Sequence, residues 1–370
     1  MNVIVFFTYD ISLRDWKESG LLEREFLYYE RLSKKGIQFT FLTFGDDTDL
    51  GIIENNNIEI LPIYTLIKKS EKKLIRYLKS FLIPFYIRKH ARKASILKTN
   101  QLMGSWVAIM TKIFFRKKLI VRTGYDLLTF NIKEKKSIFI IFFTYLLTTF
   151  SIIFSNFYFV TSSSDRNFLN KITLNIYKNK IFLIRNWVEY QNEIELSNRK
   201  NVVLTVGRIE QQKNLKLLID SSKEFNFKLD IIGDGSLKPS LVEYAKENHN
   251  INFLGVFSNK QLIEKYKHYK IYATTSLFEG NPKSLLEAMS SGCVVVGPNN
   301  SNVNEIIKHG WNGILHQYDK REIGNAVTDI LVNYSNFSDI VLNSRETIKR
   351  EFNISKIVEE EFDIYCKLID

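Results

Sequence analysis

Residues 277–292 read LFEGNPKSLLEAMSSG and set two carboxylates, Glu279 and Glu287, eight positions apart around a Gly-Asn-Pro corner in otherwise apolar chain. The segment before them, KIYATTSLF, is rich in β-branched and aromatic residues and reads as a strand. Gly280 turns the chain, Asn281 suits an N-cap, Pro282 suits the first helical position, and Gly292 closes a helix before the next strand, CVVVG. Glu279 is therefore expected at the carboxyl end of a strand and Glu287 on the second turn of the following helix. In an open parallel sheet the crevice beyond the strand ends is where ligands bind, and a helix N-terminus there offers N–H groups suited to phosphate. Carboxylates aimed at phosphates would repel them, so the pair is better matched to sugar hydroxyls. Either acid taken alone is equally compatible with a solvated surface residue.

A second strand-to-helix corner lies upstream in LTVGRIEQQKNLKLLID, residues 204–220, where Gly207 and Arg208 end a strand and Lys213 precedes a helix. Two cations at such a corner are what a diphosphate requires, although ordinary surface cations have the same appearance. Between the corners come IIGDGSLK, with a tight turn at Gly233-Asp234-Gly235, and INFLGVFSN, with Gly255 after a further strand. Their order and spacing carry more information than any one of them.

The 370 residues, 45% of them hydrophobic, exceed what one core comfortably fills and point to two domains. Short β-rich runs alternate with amphipathic segments throughout, the pattern of helix-covered parallel sheets. In the first half, strands are expected at Asn2–Thr8, Phe39–Thr43, Ile58–Leu61, Leu119–Thr123 and Phe157–Thr161, with one helix over residues 17–36 that stops at Gly36. In the second half they are expected in NVVLTV, FKLDII, INFL, KIYATT and CVVVG. The polar stretch 189–201, EYQNEIELSNRKN, is the best linker candidate and divides the chain into domains 1–188 and 189–370, the last helix being free to pack back on the first domain.

Two cysteines, Cys293 and Cys366, are too few for a disulfide framework, and the opening MNVIVFFTYD lacks a basic n-region, so a reducing cytoplasm is expected. A Lys/Ile/Asn/Phe bias resembles coding sequence from an AT-rich bacterium. The net charge of +12 is concentrated in residues 68–98, where eleven Lys and Arg face one acid, Glu71, among Leu, Ile, Phe and Tyr. This run fits a solvated helix face, an anionic membrane surface or nucleic acid; no nucleic-acid signature accompanies it. Residues 137–164 contain no charge and are long enough to raise a membrane span. Thr144, Thr148, Ser151 and Ser155, however, draw one hydroxyl stripe along a helix, and the flanking strands would end on opposite sides of a bilayer. A helix packed on the sheet or lying in the membrane interface is the preferred reading. Asp47-Thr48-Asp49 reads as a polar loop, and five histidines without paired spacing offer no zinc site.

VGRIEQQK, IIGDGSL, FLGVFS, LFEGNPKSLLEAM, SGCVVVG and NEIIKHGWNGIL, taken together over residues 202–315, resemble the retaining nucleotide-sugar glycosyltransferases of family four, the glycosyl transferases group 1. The first half resembles them in organisation only. The resemblance implies the α/β GT-B fold, two facing Rossmann-like domains with parallel sheets. It implies that Glu279 and Glu287 are the family's Glu-x7-Glu pair, Glu287 holding the donor ribose and Glu279 the donor sugar with its developing positive charge. Arg208 and Lys213 would hold the diphosphate, with Gly207, Gly233 and Val256 lining the nucleotide. The backbone of Gly280, Asn281, Pro282, Lys283 and Ser284 would line the sugar and phosphates.

Two departures stand out. Many members have Phe-Gly at Asn281-Pro282, and Pro282 has no N–H to donate; many also have a histidine before an aspartate where this chain has LIVRTGYDLL. Arg122 is the substitute candidate there, with Asp126 and, in the early loop, Gly20 on the acceptor side. The chemistry expected is metal-independent transfer of a hexose, with retention, from a nucleotide diphosphate sugar. The acceptor expected is lipid-linked or a surface polysaccharide such as lipopolysaccharide or capsule, met peripherally at the inner membrane face. Nucleotide-sugar epimerisation and a non-catalytic basic membrane scaffold are the alternatives.

Overall fold

The computed structural model describes residues 1–192 and 194–369 and divides into two compact units, Met1–Ile184 with Val358–Asp370, and Arg185–Ile357. The first unit carries β1 (Asn2–Phe6), β2 (Gln38–Thr43), β3 (Ile58–Pro62), β4 (Ile96–Thr99), β5 (Lys118–Arg122), β6 (Phe157–Val160) and β7 (Ile181–Leu183). Its helices are α1 (Leu13–Glu18), α2 (Leu22–Ser33), α3 (Lys73–Ser80), α4 (Ile83–Tyr86), α5 (Arg88–Lys93), α6 (Ser105–Phe115), α7 (Leu127–Lys133), α8 (Ile138–Phe154) and α9 (Ser163–Ile172). The strands run parallel in the order β3-β2-β1-β4-β5-β6-β7.

The second unit carries β8 (Lys200–Val206), β9 (Lys228–Ile232), β10 (Ile251–Gly255), β11 (Tyr269–Ala273), β12 (Val294–Pro298) and β13 (Ile314–His316). Between and after them run α10 (Leu215–Phe225), α11 (Lys238–Ala245), α12 (Asn259–Tyr266), α13 (Lys283–Ser290), α14 (Lys320–Val332) and α15 (Ser338–Thr347); α16 (Ile354–Ile369) follows, its residues from Val358 onward belonging to the first unit. The parallel order β10-β9-β8-β11-β12-β13 is the doubly wound arrangement, with its switch point between β8 and β11. Both faces of this sheet are covered, which is why its strands are apolar without alternation: Val294 and Val296 enter one core and Val295, between them, the other.

Several sequence expectations are corrected. The helix expected over 17–36 is two helices, because Gly20 takes φ 70° in a turn at which α1 ends and α2 begins. The basic run 68–98 is not one surface. It breaks into α3, α4 and α5 and then enters the sheet as β4, which places Lys98 fully inside, while Arg76 turns to Asp10 in an ion pair at 2.6 Å. Periodicity failed there because the strand is only four residues long and carries a lysine. The linker candidate 189–201 is tied into the second unit: Gln191 N–H donates to Ser290 Oγ at 3.1 Å, and Arg199 donates to the carbonyls of Tyr269 and Ser291. Glu193, within that stretch, lies outside the described residues.

Asp49 of the Asp-Thr-Asp triplet is buried and structural. Its carboxylate accepts from the N–H groups of Leu13 and Arg14, both at 3.0 Å, and so caps the start of α1. The charge-poor run forms α8, whose hydroxyl stripe Thr144, Thr148, Ser151 and Ser155 is buried. No helix among the described residues is long and apolar enough to cross a membrane.

Candidate active site

The loops following β8 and β11 meet at the switch point of the second sheet, and hydrogen bonds knit them together. Leu277 N–H donates to the Gln212 carbonyl at 2.9 Å, and the Thr275 hydroxyl donates to the carbonyls of Lys213 and Asn214 at 2.9 and 3.0 Å. Across this seam the Lys213 ammonium pairs with the Glu279 carboxylate, both side chains being largely buried. Gln212 Nε2 donates to the Phe278 carbonyl at 2.7 Å and reaches Glu279 Oε2 at 3.4 Å. Gly207 underlies the lysine, since a Cβ there would lie 3.1 Å from Lys213 Cε. Arg208 is exposed beside this pair, and the same depression is lined by Gly207, Lys213 and Thr274. Gly233, at the end of β9, packs so closely on this turn that a Cβ would come within 1.9 Å of the Gly207 carbonyl oxygen. A side chain at Gly233 would push the β8 and β9 corners apart.

The corner around Asn281 differs by one residue from the expectation. The N-cap of α13 is Pro282, with φ −72° and ψ 107°, and helix begins at Lys283; Asn281 makes no side-chain cap. The proline ring presets the extended-to-helical entry and has no N–H to satisfy. Asn281 instead offers its carbonyl to Asn186 Nδ2 at 2.6 Å, and its buried Oδ1 has no partner. Ser284 Oγ accepts from the Tyr272 hydroxyl at 3.0 Å. The Lys283 ammonium lies 3.7 Å above the centre of the Trp187 ring. Glu287 is only 3% exposed and its Oε1 accepts from Asn259 Nδ2 at 3.0 Å. Val256 is exposed after β10, and Gly280 is buried between Glu279 and α13.

Sequence reasoning missed the support beneath the Glu279 loop. Tyr318, at φ 60°, donates its hydroxyl to the carbonyls of Ser276 and Leu277 at 3.0 and 3.1 Å and accepts from Asn300 Nδ2 at 3.0 Å. A tyrosine in the left-handed region is uncommon, and that strain is held by the bonds on either side of the residue. His316 is buried: Nδ1 accepts from Tyr318 N–H at 3.1 Å, so Nε2 is the protonated nitrogen that donates to the Thr274 carbonyl at 3.1 Å. Burial holds this imidazole below its ordinary pKa, the backbone bond to Thr274 opposing in part. The sequence signal for this pair is HQY, which begins on the last residue of β13 and which no spacing rule selects.

The three acceptor-side candidates lie in the first unit, and two are interior. Arg122 is buried and its guanidinium donates to Glu361 Oε2 at 3.2 Å, which corrects its reading as an acceptor or phosphate contact. Asp126 caps α7, Oδ1 accepting from Thr129 N–H at 2.6 Å; its buried Oδ2 has no partner, and burial raises the carboxyl pKa. Gly20 is partly exposed in the turn between α1 and α2.

Two doubly wound parallel sheets in one chain define the GT-B class of fold. The chain matches, over residues 188–347, the family model described as glycosyl transferases group 1. Among curated proteins it is 27% identical, over 54% of this chain and 57% of the relative, to a Campylobacter jejuni enzyme. That enzyme is named GalNAc-alpha-(1->4)-GalNAc-alpha-(1->3)-diNAcBac-PP-undecaprenol alpha-1,4-N-acetyl-D-galactosaminyltransferase. The chain spans about half the length of the first curated relatives it matches. Among solved structures it superposes on the sucrose-phosphate synthase of Thermosynechococcus elongatus with a TM-score of 0.80 at 15% identity, covering 100% of this chain and 99% of that one. It also superposes on Anabaena Alr3699/HepE in complex with UDP and glucose, with a TM-score of 0.75 at 14% identity, over 99% and 100% of the two chains.

Proposed function

We propose that the protein transfers a hexosyl group, with retention, from a nucleoside diphosphate sugar to a lipid-linked or surface-polysaccharide acceptor, working peripherally at the inner face of the membrane. The observation that carries the reading is the Lys213–Glu279 pair beside Arg208 at the switch point, with buried Glu287 eight residues further on. Arg208 and Lys213 attract the diphosphate, and α13 directs its N-terminal end toward the same loop. An arriving diphosphate competes with Glu279 for the lysine ammonium, which releases the carboxylate to the donor sugar. Glu287, on α13 near the end of β10, is suited to accept from ribose hydroxyls. In the reaction the anomeric C–O bond breaks and its electron pair goes to the departing nucleoside diphosphate. The acceptor oxygen bonds to the anomeric carbon on the same face, and its proton passes to a leaving phosphate oxygen. The positive charge of Arg208, Lys213 and the helix end stabilises that leaving group without calling on a divalent ion. A relative that builds on a polyprenyl diphosphate glycan, by its printed name, supports the lipid-linked acceptor.

The test is release of nucleoside diphosphate from a panel of donors with lipid-linked glycan present, and the anomeric configuration of the product by NMR. One donor is expected to give a retained linkage without added magnesium, and Glu279→Ala to slow it about a hundredfold or more. An inverted linkage would overturn retention. A rearranged sugar nucleotide formed from donor alone would identify an epimerase instead.

A further inference from the structure

Helix α8 is built with its polar side inward. Thr144, Thr148 and Ser151 are buried; Ser151 Oγ meets Ser105 Oγ at 2.9 Å, and Thr144 Oγ1 donates to the Ile140 and Ile141 carbonyls. The outward face is hydrocarbon: Ile138 is 71% exposed, Phe139 82%, Phe142 59% and Phe150 50%. A helix on a water-facing surface shows the reverse distribution. Beside it α7, α8 and α9 line an open groove of 460 Å³ whose walls are hydrocarbon and aromatic, among them Leu128, Phe139, Phe142 and Phe168. An exposed patch of this kind marks an interaction surface.

We propose that this face of α8 and its groove dock onto an anionic lipid bilayer, the helix lying in the interface with its phenylalanines among the acyl chains. The proposal rests on the membrane-side acceptor proposed above and names the element that meets the membrane. Charge selects this occupant over a neutral partner. From Leu127 to Ser164 the charged residues are Lys133, Lys135 and Lys136 with one acid, Glu134, all at the N-terminal end of α8. At the other end Lys180 caps the helix, donating to the Ile153 and Ser155 carbonyls at 2.9 and 3.1 Å. Lys112 and Lys118 crowd the same end, and burial together with those like charges brings Lys112 down to about 8. Anionic headgroups at both ends would meet these cations while the apolar face enters the acyl region. A span is excluded by geometry. The 17 residues of α8 extend about 25 Å, short of a hydrocarbon core of about 30 Å, and β5 and β6 on either side of it are parallel neighbours in one sheet. The neighbouring helices show the same character: half-exposed Phe85 of α4 and Phe114 of α6 lie 4.9 Å apart, and α6 packs on α8.

The test is co-sedimentation of the whole chain with phosphatidylcholine vesicles, with and without about a third phosphatidylglycerol, comparing wild type with Phe139→Asp/Phe142→Asp. Wild type is expected to bind the anionic vesicles, and the double variant to bind at least roughly tenfold less, since each buried phenylalanine is worth more than the free energy of a tenfold change. Nucleoside diphosphate affinity in free solution should be unchanged and controls for folding. A second reading does not depend on that variant: an environment-sensitive fluorophore on Phe142→Cys, in a Cys366→Ser background, should shift to the blue with anionic vesicles. Equal binding by wild type and double variant, with no blue shift, overturns docking through α8 and leaves the membrane-side reading intact. Failure of the wild type to bind any vesicle overturns both, and the donor reading still stands on nucleotide affinity. A concentration-dependent dimer that Phe139→Asp/Phe142→Asp abolishes, without vesicle binding, would assign the face to a second copy of this chain.

Discussion

At the scale of single residues, the candidate site rests on a cation that is already occupied. Lys213 is paired with Glu279 before any donor arrives, whereas Arg208 beside it is exposed to solvent. Charge-assisted hydrogen bonds to phosphate are the strong kind, so Arg208→Ala and Lys213→Ala should each raise the Kd for a nucleoside diphosphate by roughly tenfold to a hundredfold. Glu279→Gln acts on the same pair from the other side. It frees the ammonium and should tighten inorganic pyrophosphate while abolishing transfer, which competition binding beside a turnover assay would separate. Glu287 was selected by its spacing from Glu279, and the structure sets it on the second turn of α13, where it is buried. Gln212 and Thr275 were not legible, because their part is to hold a loop by bonds to carbonyls, a role any short polar side chain can fill.

At the scale of elements, the loop bearing Glu279 is held by the strained Tyr318 and by His316 beneath it. The His316 pKa is lowered in the folded chain, so the unfolded chain takes up its proton first as pH falls below 6.5. Its contribution to stability is therefore complete above that value and is lost on acidification; the slope of melting temperature against pH between about 7 and 5 should flatten in His316→Gln. A steeper loss in the variant would contradict this. The strands at both corners were legible from their β-branched and aromatic residues, β8 closing directly on Gly207 and β11 running into the loop that turns at Gly280. β4 was not, since a tertiary ion pair decides it. Lys98 is inside the first unit because Glu361 of α16, bound also by Arg122, receives it there. Both cations hold the Glu361 carboxyl low despite burial. Glu361→Gln strands two buried cations and should destabilise the first unit by about 3–5 kcal/mol, measured by denaturant unfolding. Adding Lys98→Met should recover part of that loss.

At the scale of the molecule, alternation along the sequence disclosed two parallel sheets, and both are found in doubly wound order. The surface chemistry was less legible. Eleven cations in one run suggested a single basic face, yet backbone topology leaves three of them ahead of α3, three in α3, four in α5 and one, Lys98, in the buried strand β4. The inverted polarity of α8 had its sequence trace in the hydroxyl stripe, but which side faced inward depended on what the helix packs against, here Ser105 and Asn131. The central claim, that the switch point of the second sheet holds a nucleoside diphosphate, is tested most directly by titration calorimetry of the whole chain. UDP, GDP and ADP are titrated with and without magnesium, against wild type, Arg208→Ala and Glu287→Ala. The account predicts tight binding of one diphosphate, unchanged by magnesium and weakened by both substitutions, with Glu287→Ala leaving inorganic pyrophosphate affinity untouched. Binding that neither substitution alters would place the nucleotide elsewhere and contradict the account.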